Sequence, residues 1–258
     1  MNISNVGHGT VHLLAGGGKI WADVAAKFVR IEKPILEVVD GPYNANIVKN
    51  LLNSGHLSAL EFDNFIFGIE GFSRVTEVQL VRKRMASYLI KSGRAEMHGK
   101  RAFSLVLPKE VESFSTYWGP GHQLTVREWL RMGEVLYDEM LKAGIPEEDA
   151  RYIKPQGTEF KAIVAMNAHA LIDWFKIRCC LNAQKEIRLL AYQMLNLCRG
   201  VAPDLFKDAG PSCKSLGYCP ENRLQNPECK RPGWYLPKDE ALEILNKAQK
   251  ERAYVGDK

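Results

Sequence analysis

The sequence predicts an α+β protein in which a mixed sheet packs against long helices. Residues 168–181 and 183–201 carry apolar side chains at helical spacing, which indicates two long helices. A run of aromatic and β-branched residues within residues 61–70 is instead typical of a strand. These side chains are Phe62, Phe65, Ile66, Phe67 and Ile69.

The first part of the chain supplies shorter elements before this strand. Residues 11–14 form a predicted strand that ends at the glycine run of residues 16–18. Because Lys19 is not followed by Ser or Thr, the run is a flexible turn and not a phosphate-binding loop. Residues 44–52 form an amphipathic helix that is closed by Gly55.

The second half supplies the remaining helices and one more strand. Thr125-Val126-Arg127-Glu128 is a capping-box pattern, and apolar residues at helical spacing follow it as far as Gly144. Pro146, with two acids after it, suits the first turn of another helix. Residues 161–166 form a strand, and residues 238–252 form a charged, peripheral helix.

Length and composition are those of an ordinary water-soluble protein. The chain has 258 residues, 46% of them hydrophobic and 25% charged. We expect one domain over residues 1–209 and a tail with a terminal helix over residues 210–258. No apolar run is long enough to span a membrane, and the N-terminus lacks the pattern of a signal peptide. The expected location is therefore the cytoplasm.

Positive charge is concentrated in one segment. Residues 74–101 contain eight Lys or Arg side chains and two acids, whereas the whole chain has a net charge of only +5. A helix predicted over residues 73–84 would place Gln79 and Arg82 on one face, where an amide and a guanidinium can bind a base edge or a phosphate. Ser92-Gly93-Arg94 would close this helix as a phosphate cradle. The alternative is a solvated basic face.

Two further points bear on the kind of ligand. Nucleic acid is not an expected partner, because the basic segment has no interleaved aromatic residue apart from Tyr88. Arg178 lies about 16 Å beyond Asn167 along one predicted helix, so the two residues can contact two ends of a long ligand or two different ligands. The alternative for Arg178 is a cation that extends from the apolar surface to solvent.

The six cysteines have two different settings. Cys179, Cys180 and Cys198 lie in apolar helical segments, where a thiol behaves as a small hydrophobic group. Cys213, Cys219 and Cys229 lie in the tail, at spacings that fit no common zinc-finger pattern. They are interpreted as unligated thiols or a redox-dependent bridge, and a metal would need a fourth ligand. No metal site is therefore assigned.

An ordered set of motifs resembles the flavin-dependent thymidylate synthases. The resemblance covers residues 44–229, and the tail cysteines with Val201-Ala202-Pro203 are similar to one branch of that family. In chain order the motifs are Gly55-His56-Leu57-Ser58 with Glu61, residues 69–74, residues 79–87 with Ser92-Gly93-Arg94, residues 148–151 with Pro155, Met166-Asn167-Ala168, Arg178, and residues 183–188.

The resemblance implies a thymidylate-synthase-complementing-protein-like fold and C5-methylation of dUMP to dTMP. It further implies a homotetramer with FAD at sites shared between subunits, methylenetetrahydrofolate as the carbon donor and NADPH as the hydride source. It assigns the ionisation of the uracil ring to Arg178. It assigns the nucleotide to Gln79, Arg82, Ser92, Gly93, Arg94 and Arg151, and the flavin to His56, Ser58, Arg82, Lys83, Arg84, Asn167, His169 and Asp173.

The sequence departs from the family pattern mainly on the flavin side. Lys83 replaces the central His of the family signature, which exchanges a titratable ring for a mobile point charge. The other departures are Phe62, Val78, Leu89, Ile90, Ala95, His169 and Asp173. Two alternatives therefore stay open: a related flavoenzyme that acts on another pyrimidine nucleotide, and a non-catalytic nucleotide-binding homologue that has lost flavin.

Overall fold

The computed structural model describes residues 1–92, 103–221, 229 and 238–255. Its strands are β1 (Asn2–Asn5), β2 (Thr10–Ala15), β3 (Asn64–Ser73), β4 (Ser87–Ile90), β5 (Ser104–Leu107), β6 (Ser115–Tyr117), β7 (Gln123–Thr125) and β8 (Glu159–Asn167). Its helices are α1 (Trp21–Phe28), α2 (Ile35–Val39), α3 (Ala45–Ser54), α4 (Arg74–Leu80), α5 (Lys109–Glu112), α6 (Val126–Lys142), α7 (Glu147–Ala150), α8 (Ala168–Arg178), α9 (Lys185–Val201), α10 (Pro203–Phe206), α11 (Ser212–Leu216) and α12 (Lys238–Val255).

The chain divides into two compact units. Unit 1 consists of Met1–Gly16 and Asn64–Met166, and it contains the strands together with α4 to α7. Unit 2 consists of Gly17–Asp63 and Asn167–Lys258, and its described residues form helices and turns. The predicted α+β class is confirmed, while the boundary between residues 209 and 210 stays a prediction.

Unit 1 is built on a four-stranded sheet in the order β2-β3-β8-β4. Strand β2 pairs antiparallel with β3, and β4 pairs antiparallel with β8. At the far end of β3, the Arg74 N–H donates to the carbonyl oxygen of Thr158 at 2.9 Å. Parallel pairing joins β1 to β5 in a separate two-stranded sheet.

Buried and more exposed side chains alternate along β3 and β8, so this sheet has one buried face. Phe65, Phe67 and Ile69 of β3 are buried, as are Phe160, Ala162, Val164 and Met166 of β8. The alternation in β3 breaks at Gly71, which has a φ of +75°. A side chain there would come within 2.9 Å of the Gly9 Cα atom, so the two glycines allow a close approach of β3 to the segment before β2.

The opposite face of the sheet is exposed and partly apolar. Leu89 and Ile163 are direct neighbours across β4 and β8, and their side chains are 70% and 45% exposed. Leu14 of β2 lies over Gly68 on the same face and is also exposed. A cavity of about 540 Å³ opens along this face, with His12, Glu70 and Lys161 among its polar lining residues.

Unit 2 is a helical layer whose core lies between α8, α9 and α10. Phe175 packs edge-on against Phe206, with the two ring centroids 6.2 Å apart. Ile187, Leu190 and Met194 of α9 are fully buried beside them. Within the described residues, no helix is both long enough and apolar enough to cross a bilayer.

Asp63 fixes the start of α1 within unit 2. Its two carboxylate oxygens accept the Trp21 and Ala22 backbone N–H groups at 2.8 and 2.9 Å. Burial raises the pKa of this carboxyl group, and the two N–H bonds oppose the increase. A side chain 41 residues away therefore serves as the N-terminal cap that Ile20 does not provide.

Candidate active site

The basic segment consists of a helix, a turn and a strand. Helix α4 ends at Leu80, residues 81–86 form a turn, and β4 follows. The predicted helix over residues 73–84 is therefore confirmed at its start and wrong in its length, because it ends at Leu80, and the predicted closure at Ser92 is wrong. In a continuing helix the Leu80 carbonyl would accept the Arg84 N–H, but here the Tyr88 hydroxyl lies 2.9 Å from that oxygen.

Residues 82–84, which we name the basic turn, carry three consecutive cations. Arg82 and Arg84 are exposed, and neither has a hydrogen-bond or ion-pair partner among the described residues. Because α4 ends before Arg82, Gln79 and Arg82 do not share a helix face, contrary to prediction. The Gln79 side-chain amide instead lies 3.4 Å from the Val75 carbonyl oxygen. The turn offers two guanidinium groups to an anion.

Two other predicted nucleotide contacts also belong to unit 1. Ser92 is exposed, two residues beyond the end of β4. Gly93 and Arg94 lie outside the described residues. Arg151 is exposed at the end of α7, and its Nε donates to the Glu148 carbonyl at 3.0 Å. This bond orients the guanidinium and leaves its two terminal nitrogens for a ligand.

Helix α8 of unit 2 begins and ends at predicted site residues. Asn167 is its N-cap, and the side-chain oxygen accepts the Ala170 N–H at 2.8 Å. The cap does not use the side-chain amide nitrogen of Asn167. His56 and Ser58 are exposed at the start of the 3-10 turn Leu57–Phe62. The amide, the imidazole and the hydroxyl are hydrogen-bonding groups of the kind that a flavin needs.

A chain of polar side chains runs along the first turns of α8. The His169 Nδ1 lies 3.2 Å from a Glu61 carboxylate oxygen, and its Nε2 lies 3.6 Å from Asp173. The Lys176 ammonium lies 3.1 Å from the other Asp173 oxygen. His169 and Asp173, both predicted flavin contacts, therefore already contact each other.

Arg178 lies on the helix that Asn167 begins, as predicted, but it is the last residue of α8, whereas the predicted helix continues to residue 181. Its side chain is partly buried, and burial lowers the pKa of the guanidinium from its usual value. Arginine remains protonated at neutral pH despite such a shift. The site therefore holds a fixed positive charge in partly dehydrated surroundings, where it acts more strongly than in water.

The structure groups the predicted residues by unit. Unit 1 holds Gln79, Arg82, Lys83, Arg84, Ser92 and Arg151, and unit 2 holds His56, Ser58, Asn167, His169, Asp173 and Arg178. Three residues that sequence reasoning did not assign contact predicted site residues: Tyr88 contacts Lys83, Glu61 contacts His169, and Lys176 contacts Asp173. The spacing of His169, Asp173 and Lys176 on one helix face is readable from sequence. The approach of Glu61, 108 residues from His169, is not.

The tail cysteines give no ligand set within the part of the chain that the structure describes. No group of three or more His, Cys, Asp or Glu side chains there is arranged to bind a metal. Cys213, Cys219 and Cys229 are partly exposed. Their state as thiols, as a bridge or as ligands stays a prediction.

The fold and the side chains described above define a class: an α+β protein that exposes a cluster of cationic side chains. The family model for the thymidylate synthase complementing protein matches residues 22–204. The flavin-dependent thymidylate synthase of Geobacter sulfurreducens is 42% identical over 67% of this chain and 72% of its own length. That of Nitratidesulfovibrio vulgaris is 40% identical over 67% of this chain and 71% of its own.

This chain therefore belongs to the flavin-dependent thymidylate synthase family. A solved structure described as a UMP/dUMP methylase from Streptomyces cacaoi, bound with 5-Br dUMP, has the same fold. The match has a TM-score of 0.64 and 20% sequence identity, and it covers 80% of this chain and 96% of that one.

Proposed function

We propose that the protein is an FAD-dependent enzyme that methylates C5 of dUMP to give dTMP. In this proposal methylenetetrahydrofolate donates the carbon, NADPH supplies the reducing equivalents, and bound flavin carries the hydride. The observation that carries the proposal is Arg178, a partly buried cation at the end of the helix that Asn167 begins. A cytoplasmic homotetramer belongs to the same proposal.

The residues present fit a flavin dinucleotide. Its pyrophosphate needs cations, and Arg82 and Arg84 are exposed with no partner among the described residues. Its polar ring edge needs hydrogen-bond donors, and the Asn167 amide nitrogen is one such group. His169 and Asp173 fit less directly, because each must give up or share an existing contact.

In the proposed reaction this chain holds and polarises the nucleotide. Arg82, Ser92 and Arg151 bind the phosphate and fix its position. Arg178 places positive charge beside the uracil ring, where it stabilises the negative charge that develops when N3 ionises. Such ionisation raises electron density at C5, the atom that receives the carbon unit.

A purified sample tests the proposal directly. The protein should bind FAD with the visible absorbance of a flavin and should convert dUMP to dTMP when methylenetetrahydrofolate and NADPH are supplied. UMP and dCMP serve as separate acceptors to define the substrate. A protein that binds dUMP but cannot be loaded with FAD would identify a non-catalytic homologue.

A further inference from the structure

We propose that Tyr88 is a positioning residue that holds the basic turn in the shape in which Arg82 and Arg84 meet an anionic ligand. The inference rests on the proposed function, since it concerns the same site. Its basis is a pair of contacts that the Tyr88 hydroxyl makes to backbone carbonyls, one at the last residue of α4 and one within the basic turn.

The Tyr88 hydroxyl lies between two carbonyl groups on either side of Arg82. It is 2.9 Å from the Leu80 oxygen and 2.8 Å from the Lys83 oxygen. The hydroxyl carries one proton, so the two acceptors share it. The backbone bond that spans the same residues is longer, with the Lys83 nitrogen 3.4 Å from the Leu80 oxygen.

Tyr88 also connects the turn to a rigid part of unit 1. It is the second residue of β4 and pairs with Val164 of β8, which is fully buried. The ring is half-buried, and burial raises the pKa of Tyr88 to about 12. The hydroxyl therefore remains protonated over the range in which enzymes of this kind work, and it keeps its contacts to the turn.

The turn needs such support because of its sequence. Residues 81–86 contain neither Pro nor Gly, so no residue type fixes the path of the chain. Three adjacent cations at residues 82–84 repel one another when no anion is bound. A turn that is ordered in advance loses less conformational entropy on binding, which favours affinity.

The test replaces Tyr88 by Phe, which removes only the hydroxyl. We expect the dissociation constant for dUMP or FAD to rise about tenfold because the turn loses its pre-ordered shape, and the unfolding midpoint to fall by about 2–4 °C because one or two hydrogen bonds are lost. Calorimetry with dUMP and flavin fluorescence quenching with FAD measure the two constants. Tyr117→Phe is the matched control, because Tyr117 is 74% exposed and lies outside the proposed site.

A double-variant cycle separates positioning from a general structural role. If Tyr88 acts through Arg82, then Tyr88→Phe should weaken binding much less in an Arg82→Ala background than in the natural chain. Equal losses in both backgrounds, or binding by Tyr88→Phe within twofold of the natural chain, would overturn the inference. Failure of the natural chain to bind either ligand would instead overturn the proposed function.

Discussion

Arg178 combines a fixed charge with partial burial at the end of a well-packed helix. We expect Arg178→Ala to lower kcat/KM for dUMP by on the order of 10² to 10³, the usual effect of removing one charge-stabilising donor. Arg178→Lys should recover only part of this loss, since an ammonium lacks the planar fork of donors. Steady-state assays of dTMP formation measure both.

The control for Arg178 is Lys49→Ala. Lys49 is an exposed cation of α3 in the same unit and is not a proposed site residue. Its replacement should leave kcat/KM within twofold of the natural enzyme. If Arg178→Ala were equally active, Arg178 would not be the activating residue.

Two thiols are expected to be inert in the folded protein. Burial raises the pKa of both Cys179 and Cys198 to about 12, so at pH 8 almost none of either is thiolate, which is the reactive form. With Ellman's reagent at pH 8, these two thiols should react only after unfolding. Rapid reaction of all six cysteines in native buffer would contradict the burial.

Asn167 caps helix α8 and is also a proposed flavin contact, and two substitutions can separate these roles. Asn167→Ala should lower the free energy of unfolding by about 1 kcal/mol, because the cap to the Ala170 N–H is lost, and should also weaken FAD binding. Asn167→Asp keeps a capping oxygen but removes the amide donor. It should retain stability and still lose FAD affinity, as urea titrations and flavin fluorescence would measure.

The elements that are fixed by local signals are the ones that the sequence predicts well. The capping box at Thr125 and Glu128 is present at the start of α6, and Gly55 closes α3 with a left-handed conformation. The predicted strand at residues 161–166 and the predicted helix at residues 168–181 are confirmed with small changes of boundary.

The predictions that fail are those that depend on tertiary contacts. Helix α4 stops at Leu80 without any glycine or proline. The Leu80 carbonyl oxygen then accepts the Lys83 N–H and the hydroxyl of the strand residue Tyr88, and no local spacing predicts the second contact. Strand β3 begins at Asn64, later than predicted, because Leu57–Phe62 forms a 3-10 turn. The Glu61–His169 contact joins residues that no sequence pattern relates. Long-range contacts of this kind cannot be read from local spacing.

At the scale of the whole molecule, the proposed site residues are divided between the two units. The resemblance predicts a homotetramer with shared sites, and the exposed sheet face with Leu89 and Ile163 is an apolar surface of the kind that assemblies cover. Light scattering should therefore give about four times the mass of the 29.1 kDa chain.

Subunit mixing tests whether the sites are shared. Arg82→Ala and Arg178→Ala proteins should each be nearly inactive alone. If a site takes residues from different subunits, refolding the two variants together should restore measurable dTMP formation, because some sites then receive both natural side chains. No recovery in tetramers that contain both chains would place all these residues within one subunit.

The order of the strands has a consequence for synthesis on the ribosome. The polypeptide passes between the two units after Gly16, Asp63 and Met166, and β8 is the strand that separates β3 from β4 in the sheet. Translation completes β3 and β4 long before it reaches Glu159. Until then, neither strand can pair with β8. For some 90 residues of elongation, the nascent chain therefore exposes the apolar side chains of β3 and its unpaired edge. Such a segment is prone to aggregate, and a chaperone would be most useful during this interval.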